Sequence, residues 1–170
     1  MSDVLVVPYS TEWPARFQAL REELFDVFTP TAVAVEHIGS TSVPGLAAKP
    51  VIDVLLGAES LAQIESKITP LGACGYSYVS KYEREIPSRR YFVKAEVLRV
   101  HVHAVEIDSR IWREHLAFRD ALRADSDLCS RYQALKLRLA RMHAHNKAAY
   151  TAAKATFVQS ALRVAYAPAG

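Results

Sequence analysis

Cysteine is scarce in this chain of 170 residues: Cys74 and Cys129 are the only two, far apart and outside any Cys-x-x-Cys pair. That excludes a disulfide framework and a cysteine-based zinc site, and a reducing, cytoplasmic compartment is the simplest expectation. Long apolar runs are missing as well. No stretch approaches the ~18 consecutive apolar residues that span a membrane, so a membrane protein is not expected. The opening, MSDVLVVPYSTEW, lacks a basic segment, a long apolar run and a small-residue cleavage site, so no signal peptide is read there. Glycine is confined: of six, none falls between Gly75 and Gly170. The composition, 51% apolar and 23% charged, excludes disordered and collagen-like chains.

Charge of one sign is not in large excess, since 21 Lys+Arg against 18 Asp+Glu leave a net +3. The distribution says more. Residues 109–170 carry 11 Lys/Arg against 4 Asp/Glu, a net +7, whereas residues 1–108 carry 10 against 14, a net −4. This asymmetry points to an anionic ligand near the C-terminal half, with solvated helix faces as the alternative. Nucleic acid is not the expected partner, because no basic cluster with interleaved aromatics is present.

Hydrophobic periodicity organises the chain. Phe17, Leu20, Leu24 and Phe28 recur at helical spacing, with Pro14 near the first turn. TAVAVEHI (31–38) reads as a strand ended by Gly39, and VIDVLL (51–56) as a buried strand. Ser60 and Gln63 form a capping box for a helix through Ile68, stopped by Pro70 and Gly72. Strands are expected at 76–82, 90–93 and 98–104. In the last, Leu98, Val100 and Val102 alternate with Arg99, His101 and His103. With Asp108 as N-cap, helices follow at 109–124, 126–143 and 146–166. The expected class is α+β: a core over residues 1–108 and a C-terminal helical segment over 109–170, which can together count as one domain.

The densest feature is HIGSTSVPGLAAKPVID (37–53). Small residues follow a strand directly, so the amides of Gly39, Ser40, Thr41 and Ser42 can cradle phosphate, and the three hydroxyls can add bonds. Pro44 and Pro50 stiffen the loop, and Lys49 places a cation at its end. A P-loop is excluded: five residues separate Gly39 from Gly45, and Lys49 is followed by Pro50 rather than a hydroxyl residue.

Ile38-Gly39-Ser40, a gap of twelve residues and Asp53-Val54 resemble the opening of the DNA polymerase β-like nucleotidyltransferase superfamily. The fuller run GSTSVPGLAAKPVID is similar to its GrpB branch, and so are VPYSTEWPARF, RVHVHAVE, WREHLAFRDALR and YTAAKATFV. The resemblance implies a nucleotidyltransferase-like mixed sheet flanked by helices. It also implies Asp53 as a catalytic, metal-holding carboxylate, and transfer of a nucleoside monophosphate from a triphosphate to a small acceptor. The alternative is a nucleotide- or phosphate-binding module without chemistry.

The pattern departs from the superfamily at the carboxylates, which there hold Mg²⁺ or Mn²⁺ against the triphosphate. Leu55 stands where a second carboxylate is expected, on the same strand face as Asp53, and His101 and His103 project where a third would come. Mg²⁺ prefers oxygen ligands. Asp53, His101 and His103, with His37 as a further imidazole, suit Zn²⁺ or another borderline ion instead, and an exposed polar sheet face is the alternative. For phosphate, the sequence offers Arg90, preceded by Arg89; Tyr150 and Lys154 meet at i,i+4 in the last helix, and the resemblance implies that such a Tyr and Lys face the phosphates. Lys136 is a weaker candidate. His115, Arg119 and Asp120 read as packing with an ion pair.

Overall fold

The computed structural model describes residues 5–166; part of the opening read for a signal peptide lies outside them. Helix α1 (Glu12–Phe28) leads into β1 (Ala34–Ile38), a short three-ten turn (Ser40–Ser42) and β2 (Val51–Ala58). Then come α2 (Leu61–Glu65), α3 (Ile68–Ala73), β3 (Tyr76–Tyr78), β4 (Arg89–Lys94) and β5 (Arg99–Glu106). The chain ends in α4 (Arg110–Ala124), α5 (Ser126–Met142) and α6 (Lys147–Ala165). The strands form one mixed sheet in the order β1-β2-β5-β4-β3, with β2 and β5 parallel and the other neighbours antiparallel. This is an α+β fold, a mixed sheet flanked by helices with a helical C-terminal segment.

Strand alternation explains both faces of the sheet. Ile52, Val54 and Leu56 of β2, Val100 and Val102 of β5 and Phe92 of β4 point one way, into a core closed by Leu20, Leu24 and Phe28 of α1 and Ile64 of α2. The other face is divided. At one end Leu55, Val105 and Ile38 pack under Trp112 of α4. Gly57 permits that docking, since a Cβ there would lie 2.7 Å from the Trp112 ring. At the other end the same face carries Asp53, His101 and His103 and stays open. A smaller cluster of Val43, Leu46, Leu122 and Tyr132 ties the 37–53 loop to α4 and α5.

Three local expectations change. Pro70 lies within α3 rather than ending it. It occupies the first turn, where an N–H has no intrahelical acceptor to lose. The break falls between α2 and α3 instead. The cap of α4 is Ser109, whose hydroxyl accepts from Trp112 N–H at 3.4 Å, while Asp108 takes the left-handed conformation that turns the chain. The strand expected over 76–82 stops at Tyr78 and passes into a three-ten turn.

Candidate active site

Asp53 sits in the middle of β2, opposite Ile38 of β1 and His101 of β5. Its Oδ1 lies 3.4 Å from His101 Nδ1 and 3.5 Å from His103 Nε2. Burial pushes this carboxyl upward, but bonds and charge from the two imidazoles outweigh that and hold it below the usual range. The other oxygen faces the loop. An ideal Cβ on Gly39 would stand 2.5 Å from Asp53 Oδ2, and Gly39 has φ +71° and ψ −178°, a region that side chains rarely occupy. Glycine at 39 is therefore required twice, by the turn and by the acid beside it.

The loop spends most of its hydroxyls on itself. Thr41 Oγ1 donates to Val51 carbonyl at 3.0 Å and meets His37 Nε2 at 3.0 Å, and both residues are buried. Ser42 Oγ donates to Gly39 carbonyl at 2.5 Å. Arg123 supports the turn by donating twice to Ser42 carbonyl, at 3.0 and 2.8 Å. The expectation that all three hydroxyls are available to a phosphate is corrected accordingly: Ser40 and Thr41 border the open space, but the Thr41 and Ser42 hydroxyl protons are spent within the loop. Ala47 is clamped by α5, its N–H donating to Gln133 Oε1 at 2.8 Å and its carbonyl accepting from Lys136 Nζ. The clamp fixes the direction in which Lys49 leaves the loop.

Above Asp53 opens a cleft of about 500 Å³. One wall is the sheet, with Asp53, His101, His103, Tyr91 and Arg89. The other is α5 and α6, with Lys136, Lys147, Tyr150, Thr151 and Lys154. Positions 147, 150, 151 and 154 make one face of α6. Lys49 and Lys154 both lie over the Tyr150 ring, at 4.1 and 4.5 Å from its centroid. Burial and neighbouring ammonium groups push Lys49 down to about 8. Lys136, only 2% exposed, is pushed down to about 7 by the same causes, and burial lowers Lys154 too. Five cations therefore converge on a space whose acid is Asp53, a strongly attractive field for a polyanion.

Two predicted residues stand elsewhere. Arg90 projects from the opposite face of β4, beside the buried Phe92, and pairs with Glu65 at 2.7 Å. The cleft arginine is its neighbour Arg89, whose Nη1 lies 3.4 Å from His103 Nδ1. Phe92 was the available signal: an apolar residue marks the core face, so odd-numbered residues of β4 face the cleft. His37 likewise points away from Asp53. It stacks on Phe17 at 4.7 Å, and burial pushes it down to about 4. His115, read as a packing residue, instead borders the cleft with its ring 5.6 Å from that of His103, and burial lowers it to about 4. Arg119 does form the expected ion pairs, with Glu36 at 2.6 Å and Asp120 at 2.8 Å.

A second chamber of about 380 Å³ adjoins the first and shares Gly39, Ser40, Asp53, Arg89, His115 and Lys154 with it. Its remaining lining is largely apolar, including Ile111, Phe118, Leu122 and Leu162. Asp53 stands where the two meet.

The donor set does not fit a hard divalent cation. Among the described residues Asp53 is the one carboxylate lining the cleft, and Leu55 in the second position is fully buried under α4. Among the described residues no three His, Cys, Asp or Glu side chains are grouped so as to hold a metal ion. His101 and His103 instead flank the Asp53 carboxylate.

A mixed sheet with an acid on its second strand, set against a Gly-Ser turn and facing a helical segment, defines the nucleotidyltransferase-like fold. The Cid1 poly(U) polymerase shares it, with a TM-score of 0.58 at 11% identity over 87% of this chain and 49% of that one. That likeness concerns the fold alone. More specifically, the chain belongs to the GrpB family, whose model (GrpB protein) matches residues 3–163. The crystal structure of conserved protein GrpB from Enterococcus faecalis matches with a TM-score of 0.86 and 33% identity, covering 95% of this chain and 96% of that one. The YqkA protein of Bacillus subtilis is 36% identical over 159 residues, 93% of this chain and 46% of YqkA. The chain thus spans about half the length of that relative. Among the described residues no helix is long and apolar enough to cross a membrane.

Proposed function

We propose that this protein binds a nucleoside triphosphate in the cleft over Asp53 and transfers its nucleoside monophosphate to a small acceptor. The observation that carries the reading is the convergence of Lys49, Lys147, Lys154, Lys136 and Arg89 on one concave space beside Asp53. Burial holds Lys49, Lys136 and Lys154 below their ordinary pKa, repulsion from other lysines adds to it at Lys49 and Lys136, and the negative charge of a phosphate chain offsets both effects. The phosphates occupy the cationic chamber, and the nucleoside lies against Phe118 and Leu122 in the second. Asp53 holds the two imidazoles at the floor of the cleft. A divalent cation enters only as the counter-ion that accompanies the nucleotide.

A second reading, a nucleotide-binding module without chemistry, is favoured by one observation, the buried Leu55 in place of a second carboxylate. The two separate in one experiment. The protein is titrated calorimetrically with each nucleoside triphosphate, with and without Mg²⁺, and pyrophosphate release is followed in parallel. Saturable binding with release that Asp53→Asn abolishes supports transfer. Binding without release selects the module, and absence of binding to any triphosphate sinks both.

A further inference from the structure

The two imidazoles beside Asp53 differ in which nitrogen is left over. Arg89 Nη1 lies 3.4 Å from His103 Nδ1. A guanidinium only donates, so Nδ1 of His103 carries a lone pair and its proton resides on Nε2, aimed at Asp53 Oδ1 3.5 Å away. His103 is thereby engaged at both nitrogens. His101 presents Nδ1 to the same carboxylate oxygen at 3.4 Å. A carboxylate only accepts, so this contact favours the tautomer with its proton on Nδ1 and the lone pair on Nε2. An acid holding Nδ1–H while Nε2 acts is the arrangement that orients a histidine for nucleophilic or base chemistry, and it stabilises the cation that forms. His101 lines the cationic cleft, and Tyr91, with its ring centroid 5.6 Å away, packs edge-on against it.

We propose that His101 Nε2 is the nucleophile of a covalent, nucleotidyl-histidine route, which takes over what the missing carboxylates would do. This rests on the nucleotide-binding reading above. The Nε2 lone pair attacks the α-phosphorus of the nucleoside triphosphate. The Nε2–P bond forms as the bond from Pα to the bridging oxygen breaks, and pyrophosphate leaves with that electron pair, its charge met by Lys49 and Lys154. The imidazole becomes cationic with its Nδ1 proton retained against Asp53. An acceptor hydroxyl then attacks the phosphorus, Nε2 departs as neutral Nδ1–H imidazole, and the hydroxyl proton passes to solvent. No oxidant, reductant or further co-reactant is required.

The test is to incubate the full chain with α-labelled and γ-labelled nucleoside triphosphates in EDTA, quench in alkaline detergent and map any adduct by mass spectrometry. The expected result is label from the α-position only, stable in alkali and lost in acid as a phosphoramidate is, on His101. His101→Gln removes the label while calorimetric nucleotide affinity stays within about threefold. Asp53→Asn lowers labelling by at least ~10², since a neutral amide supports the wrong tautomer. Nucleotide binding with no label, or label on a lysine or on His115, overturns the proposal and leaves the binding reading standing. Failure to bind any nucleotide overturns both.

Discussion

Gly39→Ala tests the geometry of the site without touching a charged group. At φ +71° and ψ −178° an alanine occupies a region essentially reserved for glycine, at a cost of about 1–3 kcal/mol. Its Cβ also falls 2.5 Å from Asp53 Oδ2, 3.0 Å from Asp53 Cβ and 3.1 Å from Asp53 Cγ. The carboxylate is packed between the loop and two imidazoles, so relief requires displacing it, a strain comparable to overpacking at about 1–3 kcal/mol. The sum is about 2–6 kcal/mol, and in a chain of this size each kcal/mol lowers Tm by about 2–4 °C. Urea denaturation monitored by tryptophan fluorescence measures the loss. The carboxylate clash is isolated by a double-mutant cycle, because Gly39→Ala in an Asp53→Ala background keeps the backbone cost and the 3.0 Å contact with the Cβ at 53 but loses the contacts with Oδ2 and Cγ. Additivity of the two changes within about 0.5 kcal/mol, or a Gly39→Ala protein as stable as the parent, refutes the claim that this glycine makes room for the acid.

Other outcomes follow from the same structure. Triphosphate affinity falls as pH rises from about 7 to 9, because Lys49, facing Lys147, Lys154 and Asp53, loses its proton near 8 in the free protein; calorimetry in two buffers should show proton uptake on binding, and a flat profile contradicts this. His37 is held down to about 4 against an ordinary 6.5, so the unfolded chain binds its proton first and stability falls as pH drops from about 6.5 to 4, by about 3 kcal/mol for this residue; His37→Gln should remove that part of the acid sensitivity in denaturant titrations. Gly57→Ala should destabilise by about 1–3 kcal/mol with weakened Trp112 burial, read as a red-shifted emission. Arg90→Gln, which breaks a pair with the exposed Glu65 on the far face, should leave nucleotide affinity within about twofold, whereas Arg89→Gln should weaken it at least ~tenfold.

The periodic parts of the fold were legible from the sequence. Helical spacing of Leu20, Leu24 and Phe28 and the alternation of residues 99–104 each follow from one buried face, so α1 and most of β5 could be read directly. The short, breaker-rich stretch from Ser60 to Tyr82 could not, because Pro70 is as acceptable in a first turn as after a last one. Within the site, Asp53, His101, His103, Lys49 and Lys154 were approachable from strand and helix periods, and the structure brings them to one cleft. His37 and Arg90 were misplaced for one reason: each was assigned by proximity along the chain, whereas the face it occupies is set by the pairings His37 with Val54 and Arg90 with Ala104. The sequence offered Lys136 only as a weaker candidate and His115 as a packing residue, and both are placed at the cleft in three dimensions. Their neighbours in the cleft come from other elements, and burial, which lowers both, is a property of the packed molecule.

If the cationic cleft over Asp53 is a triphosphate site, a crystal structure of the protein with a bound nucleoside triphosphate will show the nucleotide there. The phosphates should lie within hydrogen-bonding distance of Lys49, Lys154 and Arg89, with the α-phosphorus toward His101. Phosphates held on the Arg90 face of the sheet, or in the surface groove beside Cys129 and Gln133, would contradict it.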